Sequence, residues 1–281
     1  MKYLILSDLH ISVDSVTSQF KLEKYKRILK NNLPESYDIV LISGDVFEHR
    51  VPHYVNVFET LQYFFDFKPA VFCLGNHEFA YEDHDSVLKT YKAQYEVFKS
   101  KWPNGSVCCL DISGYYDFDN ARIVGNVFWY DWSLNHCRTL MKGEIIDGWL
   151  DATIENFDAM KEHENCKKQI MNSLSEEKNH ILLTHTVPYE KLNMFSIEEP
   201  NSPYNSYSGC ADFLNEIKDK NFKFAFCGHT HKKANLEVYD INCLNIGNDY
   251  YFKTFRIDWA LFDMDKDLNI FNILFSKQFT F

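Results

Sequence analysis

YLILSDLH, residues 3–10, carries an apolar run straight into Asp8 and His10. Such a run fits a strand buried on both faces, with its polar cargo delivered at the carboxyl end. The same design returns in DIVLISGD (38–45), AVFCLGNH (70–77), HILLTHT (180–186) and FKFAFCGHTH (222–231). Each time an Ile-, Val-, Phe- or Leu-rich run stops at residues able to bind metal. A random scatter of His and Asp would show no such bias.

Segments with helical spacing lie between these runs. Phe20, Ile28 and Leu29 mark a first helix, stopped by Asn31-Asn32-Leu33-Pro34; Val55, Phe58, Leu61 and Phe65 mark a second. Val87, Leu88, Tyr91, Tyr95 and Phe98 predict a third, and Phe213, Leu214 and Ile217 a fourth. Strands alternating with helices indicate parallel βαβ units, hence an α/β fold, whose ligands bind at the carboxyl ends of the strands.

The remainder reads differently. VCCLDI and RIVGNVFWY, within residues 107–129, are expected strands joined by a turn, GYYDFDN. The alternating tail from about 236 to 275, as in LEVYDI and WALFDMD, suits a second, partly antiparallel sheet. Residues 133–179 are charged, with sparse apolar anchors at Ile154, Phe157, Met160 and Ile170, and are expected to form a helical insertion covering the site. Residues 193–208 are expected to be a loop. The whole of 1–281 is read as one domain.

The chain has 281 residues, 46% hydrophobic and 25% charged, enough for a substantial core. Its net charge of −11 disfavours stable binding to duplex nucleic acid. Eight cysteines show no CxxC pair, and several sit inside apolar runs, as buried free thiols of a reducing compartment would. No run approaches the ~20 apolar residues that span a bilayer. A cytoplasmic protein with no membrane partner is expected.

Asp8 and His10 are two apart, so an extended chain sends both to one face; His229 and His231 share that spacing. Asp45 follows Gly44 and Asn76 follows Gly75, where the backbone can turn sharply. Asp8, His10, Asp45, Asn76, His185, His229 and His231 together offer carboxylate, imidazole and amide donors without thiolate. That set suits Mn²⁺ first, with Fe or Zn²⁺ as alternatives. Seven ligands are too many for one ion, and a carboxylate can bridge two.

The order DxH, GD, GNHE, H, GHTH from residue 8 to residue 231 resembles the calcineurin-like metallophosphoesterase superfamily. The resemblance implies a four-layer αββα sandwich, two mixed β-sheets flanked by helices. It implies Asp8, His10 and His231 on a first divalent ion, Asn76, His185 and His229 on a second, and Asp45 bridging. By the same resemblance His77 is catalytic beside the scissile phosphate, oriented by Glu78, and a water activated between the metals attacks phosphorus.

Departures from subfamily patterns narrow the substrate. GDVFEHR and CLGNHE lack the arginines of the protein serine/threonine phosphatases, and GNHE differs from the GNRD of lipid A pathway pyrophosphatases. GDVFEHRVP is similar to the second motif of SbcD-like nucleases, but only about 50 residues follow the fifth motif, and the charge is wrong for DNA. A phosphate ester of a small molecule or nucleotide, diester or monoester, is the expected substrate; a non-catalytic metal-binding module is the remaining alternative. His49 and Arg50 are candidate substrate-phosphate contacts. Tyr189, Tyr204 and Tyr207 are read as loop surface, and Trp129, Tyr130 and Trp132 as the edge of an aromatic core.

Overall fold

A computed structural model describes residues 1–15, 18–137, 140–193, 198–247, 259–263 and 274–275. Four of the parallel runs form one side of the first sheet: β1 (Lys2–Leu6), β2 (Ile39–Ser43), β3 (Ala70–Cys73) and β4 (Val107–Cys109). The second sheet is built on β5 (Tyr115–Phe118), β6 (Ala121–Asn126), β7 (Asn179–Thr184) and β8 (Phe222–Cys227), of which β6, β7 and β8 run parallel and β5 antiparallel. The tail divides between the two sheets. β9 (Ala234–Val238) and β10 (Ile241–Asn245) extend the second sheet, whereas β11 (Ala260–Asp263) and β12 (Leu274–Phe275) extend the first past β1. The orders are β12-β11-β1-β2-β3-β4 and β5-β6-β7-β8-β10-β9.

Strand alternation explains why the sheets stack. Tyr3 and Ile5, Ile39 and Leu41, and Val71 and Cys73 point to one face and meet Ile123, Ile181, Leu183, Phe224 and Phe226 of the other sheet. The rings of Phe224 on β8 and Phe262 on β11 stand 4.7 Å apart across that layer. The intervening residues (Leu4, Leu6, Val40, Ile42, Phe72) face outward onto helices. Both faces of these strands are therefore dry, which is why they read as unbroken apolar runs rather than as an alternation. Each fully buried Ile, Leu or Phe stabilises the fold by about 1.5–3 kcal/mol.

Helices cover the outer faces: α1 (Ser18–Asn32), α2 (Val57–Phe64) and α4 (His84–Lys101) on the first sheet, α6 (Ala159–Asn172) on the second. Side-chain oxygens cap three of them. Asn56 accepts from the N–H groups of Phe58 and Glu59, Asp83 from Ser86 and Asp158 from Lys161, each worth about 1 kcal/mol. One-turn helices α3 (Asn76–Phe79), α5 (Leu110–Ser113) and α7 (Leu214–Ile217) complete the set. The result is the αββα sandwich expected from the resemblance.

Several local expectations are corrected. Phe20 lies on α1 but is 75% exposed, because the face that packs on the core is that of Leu22, Tyr25, Ile28 and Leu29. VCCLDI leaves the strand after Cys109 and turns through α5, and GYYDFDN is mostly the edge strand β5. Among the described tail residues, β9 and β10 lie in the second sheet as an antiparallel pair, but β11 and β12 join the first; Tyr239 and Asp240, both at positive φ, form the β9–β10 turn. Among the described residues of 133–179, helical structure is confined to a 3-10 turn at Leu150–Thr153 and to α6. Trp129, Tyr130 and Trp132 are buried core. All eight cysteines are free thiols, seven of them buried. Residues 194–197 of the expected loop, and 248–258 and 264–273 of the tail, lie outside the described residues.

Candidate metal centre

The carboxyl ends of β1, β2, β3, β7 and β8 meet at one edge of the sandwich, where the polar cargo accumulates. Backbone bonds knit the loops together before any side chain contributes: Asp8 N donates to Gly44 O (3.1 Å), His10 N to Asp45 O (2.9 Å) and Gly228 N to His185 O (3.0 Å). Asp8, His10, Asp45, His229 and His231 all have φ between 45° and 68°. The pairs spaced two apart therefore share a direction through left-handed turns, not through the extended chain expected from their spacing. Non-glycine residues there cost about 1–3 kcal/mol each and persist only where surrounding contacts hold them.

One group of donors converges without hydrogens. His185 Nδ1 faces Ser43 O at 3.0 Å and His229 Nε2 faces Tyr207 O at 3.0 Å. Carbonyl oxygens only accept, so these nitrogens carry the N–H, and His185 Nε2 and His229 Nδ1 present lone pairs. Those two atoms are 3.1 Å apart; Asn76 Oδ1 lies 3.1 Å and Asp45 Oδ1 3.3 Å from His185 Nε2. His185 Nε2 thus has three acceptor atoms within 3.3 Å, an arrangement that a cation relieves, and Asp8 also lies within 4.8 Å of the Asp45 and His185 donor atoms. A proton is one occupant: burial opposes charge on His185, but Asp45 raises it to about 10. Burial and the charge on His185 push His229 down to about 3.

A second group gathers around Asp8, His10 and His231, whose donor atoms lie within 4.8 Å of one another. Asp8 Oδ1 accepts from the backbone N–H of His229 (3.0 Å), and Ser7 Oγ donates to Asp8 Oδ2. The rings of His10 and His231 stack at 5.6 Å. Asp45 stands between the groups: its Oδ1 faces His185, while its Oδ2 is 3.7 Å from His10 Nε2 and 3.9 Å from His77 Nε2. Burial would raise this carboxyl, but His185 and then His77 and His10 hold it well below the carboxylate range.

His77 opens α3 beside Asp45, to whose Oδ1 it donates its backbone N–H (3.0 Å). Its partner is not Glu78. The buried Glu78 carboxylate accepts from the N–H groups of Phe47 and Gly75, both at 2.8 Å, and so ties the β2 and β3 loops together. Burial, with the Asp45 charge, pushes it up to about 8. The residue that orients His77 is Glu48, with one oxygen 3.4 Å from His77 Nδ1 and the other 3.2 Å from His10 Nδ1. Burial opposes the charge on both sides of this contact. Even so, the bonds to His10 and His77 pull Glu48 down to about 2, and Asp45 with Glu48 raises His77 to about 9.

A model of the calcineurin-like phosphoesterase family matches residues 1–233, from β1 through the GHTH loop. The chain belongs to this family. No curated protein sequence matches it. Among solved structures, the family fold is shared with a phosphopantetheinyl hydrolase from Mycobacterium tuberculosis, at 15% identity, 89% coverage of each chain and a TM-score of 0.59. A dimetal phosphatase from Danio rerio aligns at 12% identity, 92% coverage of each chain and a TM-score of 0.50. A protein of Thermus thermophilus aligns at 13%, 94% coverage of each and 0.53. These likenesses show the fold.

All seven family-motif side chains proposed as ligands gather at this edge. His49 and Arg50 continue from Glu48 into a 3-10 turn; His49 packs its ring 5.1 Å from Tyr81, and Arg50 is exposed. Tyr204 is exposed, but Tyr207 is fully buried and contributes its carbonyl to His229. Asn245 donates to Thr230 Oγ1 (2.8 Å) and Leu192 O (3.1 Å), bracing the GHTH loop. Glu48 and Asp151 were not singled out. Glu48 had a signal, an acid three residues past Asp45; Asp151 had none, because it reaches the site only through the fold. No described helix is long and apolar enough to cross a membrane.

Proposed function

We propose that this chain is a dinuclear metal-dependent phosphoesterase acting on a small-molecule or nucleotide phosphate ester. The observation that carries this reading is Asp45, whose Oδ1 faces His185 while its Oδ2 faces His10, between neighbouring groups of N/O donors. The donors fit hard to borderline divalent cations: they include no thiolate, and four of them converge as lone pairs. Asn76, His185 and His229 would hold one ion, Asp8, His10 and His231 the other, with Asp45 shared. Mn²⁺ is the first choice, with Fe or Zn²⁺ as alternatives. When bound, such a pair supplies Lewis-acid polarisation of phosphoryl oxygens and an acidified water.

The remaining work falls to the protein's own residues. Glu48 fixes the His10 and His77 rings through their Nδ1 atoms, which leaves each Nε2 turned toward Asp45 and the reaction site. His77, partly open to solvent, stabilises or protonates the leaving oxygen, a role typically worth ~10²–10⁴ in rate. His49 and Arg50, a few residues beyond Asp45, are the side chains we assign to the substrate phosphate. The segment 133–179 borders the site through Asp151 and Trp149, as an insertion covering a single domain would. The mostly buried free thiols and the acidic charge favour a cytoplasmic enzyme that does not hold duplex nucleic acid.

Hydrolysis with added Mn²⁺ tests this reading, comparing an aryl phosphomonoester, an aryl phosphodiester, cyclic nucleotides and single-stranded DNA. Diester turnover that chelator abolishes is expected. Preferential cleavage of DNA would shift the assignment to an SbcD-like nuclease. Metal uptake without turnover of any ester would make the chain a non-catalytic module.

A further inference from the structure

We infer that Asp151 orients Asn76 as a metal ligand and thereby sets the affinity of the cation held with His185 and His229; this rests on the two-cation reading above. An asparagine amide can present either oxygen or nitrogen to its surroundings, and its neighbours decide which. The Asp151 carboxylate accepts Asn76 Nδ2 at 2.8 Å. The amide oxygen is thereby turned toward His185 Nε2, 3.1 Å away. With the amide reversed, an N–H₂ group would face the lone pairs of His185 and Asp45, and the site would lose an oxygen donor.

Asp151 is itself held firmly. It is 1% exposed, sits in the 3-10 turn Leu150–Thr153, and its second oxygen accepts Trp149 Nε1 at 3.0 Å. The Trp149 ring stacks on Tyr207 at 5.2 Å and meets His229 edge-on at 6.5 Å. Among the described residues no Lys or Arg pairs with this buried carboxylate. Burying an unpaired charge is costly, and a cation on the far side of the Asn76 amide offsets it. The amide then lies between negative and positive charge with its dipole aligned to both. Outer partners of this type typically change metal affinity by ~10–100-fold.

The experiment titrates Mn²⁺ calorimetrically into the chelator-stripped full chain. Asp151→Ala is expected to weaken one of two Mn²⁺ sites by about ten- to a hundredfold while leaving the other unchanged. Asp151→Asn keeps an oxygen for Asn76 but loses the charge and turns an N–H₂ toward Trp149 Nε1, so it should weaken the same site by less than Asp151→Ala does. Thermal unfolding of the metal-free variants distinguishes positioning from mere stapling of the 133–179 segment. Should Asp151→Ala fail to fold, Asp151→Ser, which leaves a hydroxyl for Trp149, is judged by the same criterion. Two wild-type affinities in the Ala or Ser variant would overturn the role of Asp151 alone. A wild-type protein that takes up fewer than two Mn²⁺ would overturn the dinuclear reading with it.

Discussion

A Cβ at Gly75 would stand 2.1 Å from Oδ1 of Asp45 and 2.4 Å from its backbone nitrogen. The glycine's φ of −122° is ordinary, so close approach, not backbone freedom, excludes a side chain here. Gly75→Ala must displace the carboxylate that both donor groups share. Overpacking typically costs about 1–3 kcal/mol, which the domain can survive. We expect a folded protein with at least about hundredfold less turnover, since ångström-scale misplacement of catalytic groups costs that much. Full activity in steady-state assays would mean that Asp45 tolerates displacement.

Removing the shared charge is the direct test of bridging. Asp45→Asn keeps the shape but leaves a neutral oxygen facing one group and an N–H₂ facing the other. Two-ion uptake measured by elemental analysis should fall to one or none, with diester hydrolysis abolished.

His77→Ala should separate catalysis from binding. Its ring lies beside Asp45 Oδ2 but outside the four converging acceptors. Turnover is expected to fall by about 10²–10⁴ with metal content unchanged. Loss of metal in this variant would assign the ring to coordination instead.

Glu48→Gln replaces a carboxylate that holds two imidazoles through Nδ1. The amide can accept from only one of them with its oxygen, so one ring loses its tether. Mn²⁺ affinity should drop by about tenfold or more, and kcat should fall more than KM rises. Because Glu48 sits at about 2, its charge persists throughout the assay range. The pH profile should therefore owe nothing to its protonation.

Asp111 predicts a pH dependence of stability. Its carboxylate accepts the N–H of Leu74 (2.7 Å), at the end of β3, and of Val127 (2.8 Å), at the end of β6, and so couples the two sheets. Burial raises it to about 6 despite these donors. The folded state then binds the proton more tightly than the unfolded chain, whose value is near 3.9. Its contribution to stability is fully present below about pH 4 and is lost as pH rises through 6. The carboxyl is buried, so this rise corresponds to about 2–3 kcal/mol. Unfolding of the metal-free protein between pH 4 and 7 measures the slope. Asp111→Asn should flatten it while costing about 1–3 kcal/mol for one unmatched N–H.

Much of the site was legible because parallel strands buried on both faces write themselves as apolar runs, and each run here ends in its proposed ligands. Asp8, His10, Asp45, Asn76, His185, His229 and His231 needed no structure to be named. Their local geometry was not legible. The spacing of Asp8 and His10 suggested an extended chain, whereas both lie in left-handed turns held by Gly44 O and Asp45 O. Glu78 looked like the partner of His77 because it is adjacent in sequence. α3 instead turns its carboxylate away toward the N–H groups of Phe47 and Gly75.

The sequence by itself determined the strands, their carboxyl-end chemistry and the family, since hydrophobic burial and ligand type are properties of the residues in order. Only the tertiary structure decided which tail strand joins which sheet, which nitrogen of His185 and His229 faces the centre, and that Glu48 and Asp151 orient what the motifs supply. Those relationships are contacts between residues far apart in sequence, 75 positions for Asp151 with Asn76 and 142 for His185 with Ser43. A hydrogen bond's direction is fixed by who stands opposite, and the order of residues alone does not say.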